Sequence, residues 1–127
     1  MNKDGSYPTL GAKDTYLPKN SMWTYTAPNP ADFYSPEISS VQRLPNGNTL
    51  ICEGIPGHFF EITPDSEIVW SYGNPIVVNS ILKPGEKPTI DPRGHPNNAV
   101  FKIHRYAPDY PGLIGKDLTP GEYLFLR

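Results

Sequence analysis

Short apolar runs of period two, each closed by Pro, Gly, Asn or Asp, recur along the chain, and no stretch repeats apolar residues at i, i+3, i+4 and i+7 over three turns. The pattern predicts strands rather than helices. Ser21 to Thr26 (SMWTYT) reads as the first strand. Val41 to Leu44 and Asn48 to Glu53 flank Pro45-Asn46-Gly47, where Asn-Gly marks a hairpin because both residues tolerate positive φ. His58 to Ile62 and Glu67 to Tyr72, joined by Thr63-Pro64-Asp65-Ser66, form a second hairpin. Residues 39–72 are therefore expected to build a four-stranded antiparallel meander with apolar residues on both faces. Read along the strands, one face carries Ile51, Phe59, Ile68, Trp70 and Tyr72, and the other Leu50, Cys52, Phe60, Ile62 and Val69.

Around this meander the chain is less regular. Residues 1–20 are polar, punctuated by Gly5, Pro8, Gly11 and Pro18, and read as an irregular arm before a single β domain over 21–127. Residues 27–36 form a connection rich in proline, with Phe33 and Tyr34 expected to pack onto something. Residues 73–99 hold Pro84, Pro88, Pro92 and Pro96 and read as a long loop around a short strand at Ile76-Val77-Val78; a loop that long is either functional or mobile. Val100 to Tyr106 (VFKIHRY) is expected as a strand with Phe101 and Ile103 on one face and Lys102, His104 and Tyr106 on the other. The tail 107–127 is rich in turns, with a last short strand at Tyr123 to Leu126.

Composition narrows the class. At 127 residues one domain is expected to bury about two-thirds of its unfolded surface. Sixteen prolines lie between the β-branched and aromatic runs, which disfavours helices throughout. A net charge of −2 with scattered basic residues gives no footprint for nucleic acid or an anionic membrane. No apolar run reaches the roughly 20 residues that span a bilayer, and no signal-peptide core follows Met1, so the chain as written is expected to be soluble and cytoplasmic, although a longer parent could be exported. Cys52, the single cysteine, sits in Leu50-Ile51-Cys52 and reads as a small buried hydrophobe.

No self-sufficient catalytic constellation stands out. The three histidines show no metal-ligand spacing, and neither a metal nor a cofactor is expected. His58 opens a strand after Gly57 and Arg43 lies in the preceding hairpin, so the two are candidates to converge at one sheet edge and hold an oxyanion. His104, flanked by Lys102 and Tyr106, is a second anion-site candidate beside the plainer reading of a solvated polar face. His95, in Pro92-Arg93-Gly94-His95-Pro96, reads as a turn residue. Serine chemistry would need a base oriented by a third group, and no G-x-S-x-G elbow is present. The aromatics Trp23, Tyr25, Phe59, Phe60, Trp70 and Tyr72 alternate along strands and are expected to pack in the interior.

Trp23-Thr24-Tyr25 with Pro28 recurs as Trp70-Ser71-Tyr72 with Pro75, an offset of 47 residues that suits the period of a β-propeller blade. The stretch WTYTAPNPADFYSPEISSVQRLPNGNTLICEGIPGHFFEITPDSEIVWSYGNP, followed by VFKIHRYAPDYPGL and KDLTPG, resembles the C-terminal part of arylsulfotransferase-like β-propeller proteins over residues 20 to 121. The resemblance implies an all-β fold: one four-stranded antiparallel propeller-type blade at 39–72 with flanking strands and long loops, in a chain too short to be a complete propeller. Enzymes of that type form a sulfohistidine, pass the sulfuryl group to a phenol, and use other His and Arg residues to hold sulfate. Blades supplying such histidines show a His-Asp pair just upstream of the LPNGN turn, where this chain has Ser39-Ser40. The expectation is thus a non-catalytic structural or binding module completed by self-association, with the ligand unspecified. The alternative is a sulfotransferase-like enzyme whose site forms only on oligomerisation or within a longer parent chain. A homo-oligomer, dimer or higher, follows from the expectation that one sheet face lacks cover.

Overall fold

The computed structural model describes residues 3–7, 9–15 and 18–119; the strand expected at Tyr123 to Leu126 lies outside them. Its centre is the expected antiparallel meander: β1 (Ser39–Arg43), β2 (Thr49–Glu53), β3 (His58–Ile62) and β4 (Ile68–Gly73), in the order β1-β2-β3-β4. Both outer hairpins close in the same way. Leu44 N donates to Asn48 O and Gly47 N to Leu44 O, leaving Pro45-Asn46-Gly47 as the loop with only Gly47 left-handed, at φ 88°. Thr63 N donates to Glu67 O and Ser66 N to Thr63 O, and Ser66 takes the left-handed place at φ 70°. A register shift between Glu61 and Ile62, which faces Ile68, twists the start of β4.

The pairing corrects the expected faces. Cys52 lies opposite Phe59 and Ile51 opposite Phe60, so Leu50, Cys52, Phe59, Trp70 and Tyr72 share one face, while Ile51, Phe60 and Ile62 share the other. The expectation is right for β3 against Trp70 and Tyr72 but sets β2 one residue out of phase, exchanging Ile51 with Leu50 and Cys52. The tight turn after Glu53 fixes the parity across strands.

The core lies on the second face, where Ile51, Phe60 and Ile62 are packed by Trp23, Tyr25 and Phe33. Tyr25, Phe33 and Phe60 form a ring cluster with centroids 5.4 to 6.0 Å apart. Residues 21–26, expected as a strand, keep the alternation with Trp23 and Tyr25 half-buried, but no strand among the described residues pairs with them. Residues 100–106 likewise are not a strand. They cross the first face, held by side chains: Gln42 Nε2 donates to Arg105 O at 2.9 Å, Arg105 N donates to Gln42 Oε1 at 2.8 Å, and Ile103 N donates to Ser40 Oγ at 3.4 Å. Phe101 is 72% exposed, and it is Ile103 and Arg105 that turn inward. The chain therefore covers the centre of both faces itself, against the expectation that one would be bare.

Residues 73–99 contain a small hairpin, β5 (Ile76–Val77) with β6 (Ser80–Ile81), where a single strand was expected. The loop is anchored by two asparagines. Asn74 Nδ2 donates to Asn98 O at 2.9 Å, and Asn98 Nδ2 returns to Asn74 O at 2.9 Å. Gly57 sits beneath this clasp at φ 62°, where a Cβ would stand 2.5 Å from Asn98 O. The interior of the meander is uneven: β2 is buried throughout, whereas β4 is exposed at every residue and, among the described residues, pairs only with β3. No helix among the described residues is long and apolar enough to cross a membrane.

Candidate functional site

Two polar clusters rise from the sheet, one on each face. On the core face, Glu53 and His58 flank the turn between β2 and β3 and stand directly opposite each other. Gly57 N bonds Gly54 O within that turn, and the alternation of the ladders on either side makes Glu53 and His58 a hydrogen-bonded pair. Glu53 Oε2 lies 3.1 Å from His58 Nδ1, and His58 Nε2 lies 2.9 Å from Ser71 Oγ on β4. Glu53 is buried, and its Oε1 accepts the Tyr34 N–H at 2.8 Å. The His58 ring stacks on Phe60, 5.1 Å between centroids, which fixes its plane. A carboxylate on Nδ1 places the neutral ring's proton there and leaves Nε2 as an acceptor toward the serine.

On the opposite face Arg105 is the centre. Its Nη1 pairs with Glu61 Oε2, and its guanidinium lies 5.0 Å from the Trp70 ring centroid. Glu61 is buried, and its Oε1 accepts from Asn48 Nδ2 at 2.6 Å. The Asn48 hydrogen bond, helped by Arg105 and opposed by burial, holds the Glu61 carboxyl below the usual glutamate range. Arg105, His104, Leu50, Phe59, Trp70 and Tyr72 line a cleft of about 300 Å³.

The residues singled out in the sequence are separated. Arg43 pairs with Thr49 at one end of β2, and His58 pairs with Glu53 at the other, so the two do not converge. Arg43 donates to Gly47 O at 2.9 Å and lies 4.9 Å from the Trp23 ring centroid. His104 is exposed at the rim of the Arg105 cleft, 6.1 Å from the Tyr106 ring. His95 sits in a loop organised by Asp91, whose Oδ1 accepts from Arg93 N and His95 N; the His95 amide is the main reason the Asp91 carboxyl is held low. Burial pushes the Cys52 thiol up, so it stays protonated beside Val100 O. Sequence reasoning passed over Glu53, Ser71, Glu61 and Arg105. For Glu53 the signal was present: it and His58 bracket a four-residue turn and must face each other. No family model, curated protein or solved structure matches this chain.

Proposed function

We propose that the chain is a structural or binding module, derived from an arylsulfotransferase-like propeller and completed by association with further copies, with no sulfuryl transfer of its own. The observation that carries this reading is β4. It is exposed along its whole length, presents Ile68, Val69, Trp70 and Tyr72, and among the described residues pairs on one side only. An open apolar edge is a template for another strand, and proteins blunt such edges unless they use them. Ser39 and Ser40, where the resemblance would place a His-Asp pair, support the absence of sulfuryl transfer. Light scattering behind size exclusion at micromolar concentration is expected to report at least a dimer, and Val69→Lys to shift it to the single chain. A wild-type monomer overturns the reading.

The Arg105 cleft favours a second reading, a sulfotransferase-like enzyme whose site closes only in an assembly or a longer chain. Its aromatic walls with Arg105 and His104 at the rim suit an aryl anion. Turnover of an aryl sulfate with a phenol acceptor, lost in Arg105→Ala, would establish this second reading.

A further inference from the structure

We propose that Ser71, His58 and Glu53 form an acyl-transfer relay, in which Ser71 is the nucleophile, His58 its general base and Glu53 the residue that positions the base. The relay lies on the face opposite the Arg105 cleft and is complete within one chain; a strand added along β4 would take the Ser71 N–H and suppress it. Each link is on hydrogen-bond distance: Ser71 Oγ to His58 Nε2 at 2.9 Å, and His58 Nδ1 to Glu53 Oε2 at 3.1 Å. The order nucleophile, base, orienting carboxylate is the arrangement that makes a serine hydroxyl reactive, whatever fold carries it. Exposure is graded in the right sense, with Ser71 open to solvent, His58 partly covered and Glu53 buried. A purely packing role would not need the serine at the solvent end.

The ladder supplies the rest of the site. Asn74 N donates to Gly57 O, so that pair is hydrogen-bonded and the alternation makes Gly73 and Ser71 the residues whose N–H groups point away from β3, over the open edge of β4. The Ser71 N–H is thereby free of the ladder and available to an oxyanion forming at a carbonyl bonded to Ser71 Oγ. Beside the serine, Gly73 faces His58, and a Cβ built there meets nothing within 4 Å, so the acyl group has open space on the same face. The Glu53 carboxylate disfavours anionic substrates, which points to neutral carboxylic esters with a good leaving group.

In the first step Ser71 Oγ attacks the ester carbonyl carbon while its proton passes to His58 Nε2. The carbon bond to the leaving oxygen then breaks, and the proton returns from His58 to the alcohol or phenol released. In the second step water attacks the acyl-serine as its proton passes to His58 Nε2, and that proton is handed to Ser71 Oγ as the bond between the acyl carbon and Oγ breaks, freeing the carboxylic acid and regenerating Ser71 and His58. No oxidant or further reactant is required.

The test is acetylation of the full chain by p-nitrophenyl acetate, read by peptide mass. Ser71 is expected to acetylate at least about a hundredfold faster than Ser80, an exposed serine on β6 that serves as internal control. His58→Ala, or His58→Asn if the first does not fold, should remove that advantage. Glu53→Gln should lower the saturating rate while leaving its dependence on ester concentration unchanged, a split that a merely structural carboxylate would not produce. Equal acetylation of Ser71 and Ser80 in the wild-type chain, or a Ser71 rate unchanged in a folded His58 variant, overturns the proposal.

Discussion

Phe60 and Trp70 show how differently two large aromatics of one sheet contribute. Phe60 is almost fully buried among Tyr25, Phe33 and His58, so Phe60→Ala is expected to cost about 3 to 5 kcal/mol. Trp70 is 38% exposed on the edge strand and rests on Arg105 and Tyr72, so Trp70→Ala should cost about 1 to 2 kcal/mol. Urea midpoints of the two variants give the order; a Trp70 loss equal to that of Phe60 would mean the edge is covered in solution. Glu61 carries a pH dependence. Its folded-state pKa is depressed, so the stabilisation it provides is present at neutral pH and is lost as pH falls below the unfolded value of about 4.3. Glu61→Gln should flatten the fall in urea midpoint between about pH 5 and pH 3, and an unchanged slope would assign acid sensitivity to other carboxylates.

At the scale of elements, the two outer hairpins share a loop geometry but not a residue at its left-handed position. Gly47 occupies it at no steric cost, whereas Ser66 at φ 70° does not. Ser66→Gly is therefore expected to stabilise by up to about 1 kcal/mol, while Gly57→Ala, whose Cβ meets Asn98 O, should destabilise; opposite movements of the melting temperature check the pair. These hairpins were readable because Pro, Asn, Gly and Asp fix a turn locally. The segments at 21–26 and 100–106 were misread for the complementary reason. Alternation records which side chains face inward, and it holds at Trp23, Tyr25, Ile103 and Arg105, but pairing depends on whether another strand arrives. The candidate site was legible only in part: His58 was visible as a residue, yet its neighbours follow from register across three strands, with Ser71 lying two strands from Glu53.

For the whole molecule, the two Trp-x-Tyr segments end up on different faces, Trp23 and Tyr25 over the Ile51 side and Trp70 and Tyr72 on the Leu50 side. Each face is thus covered by a different stretch of chain, and the two covers are attached by different means. The aromatic cover joins the core by packing, while residues 100–106 are tied through the Gln42 amide, which supplies both the acceptor for Arg105 N and the donor for Arg105 O. Releasing that tie breaks no strand pair. Opening should accordingly occur in tiers, with the 103–105 segment lifting at a free energy well below global unfolding and the sheet opening only with the whole. In hydrogen–deuterium exchange the Arg105 amide would then exchange sooner than the central amides of β2 and β3, and Gln42→Leu would speed Arg105 alone. The Arg105 cleft would in that case be a surface that comes apart and re-forms many times within one lifetime of the folded sheet beneath it.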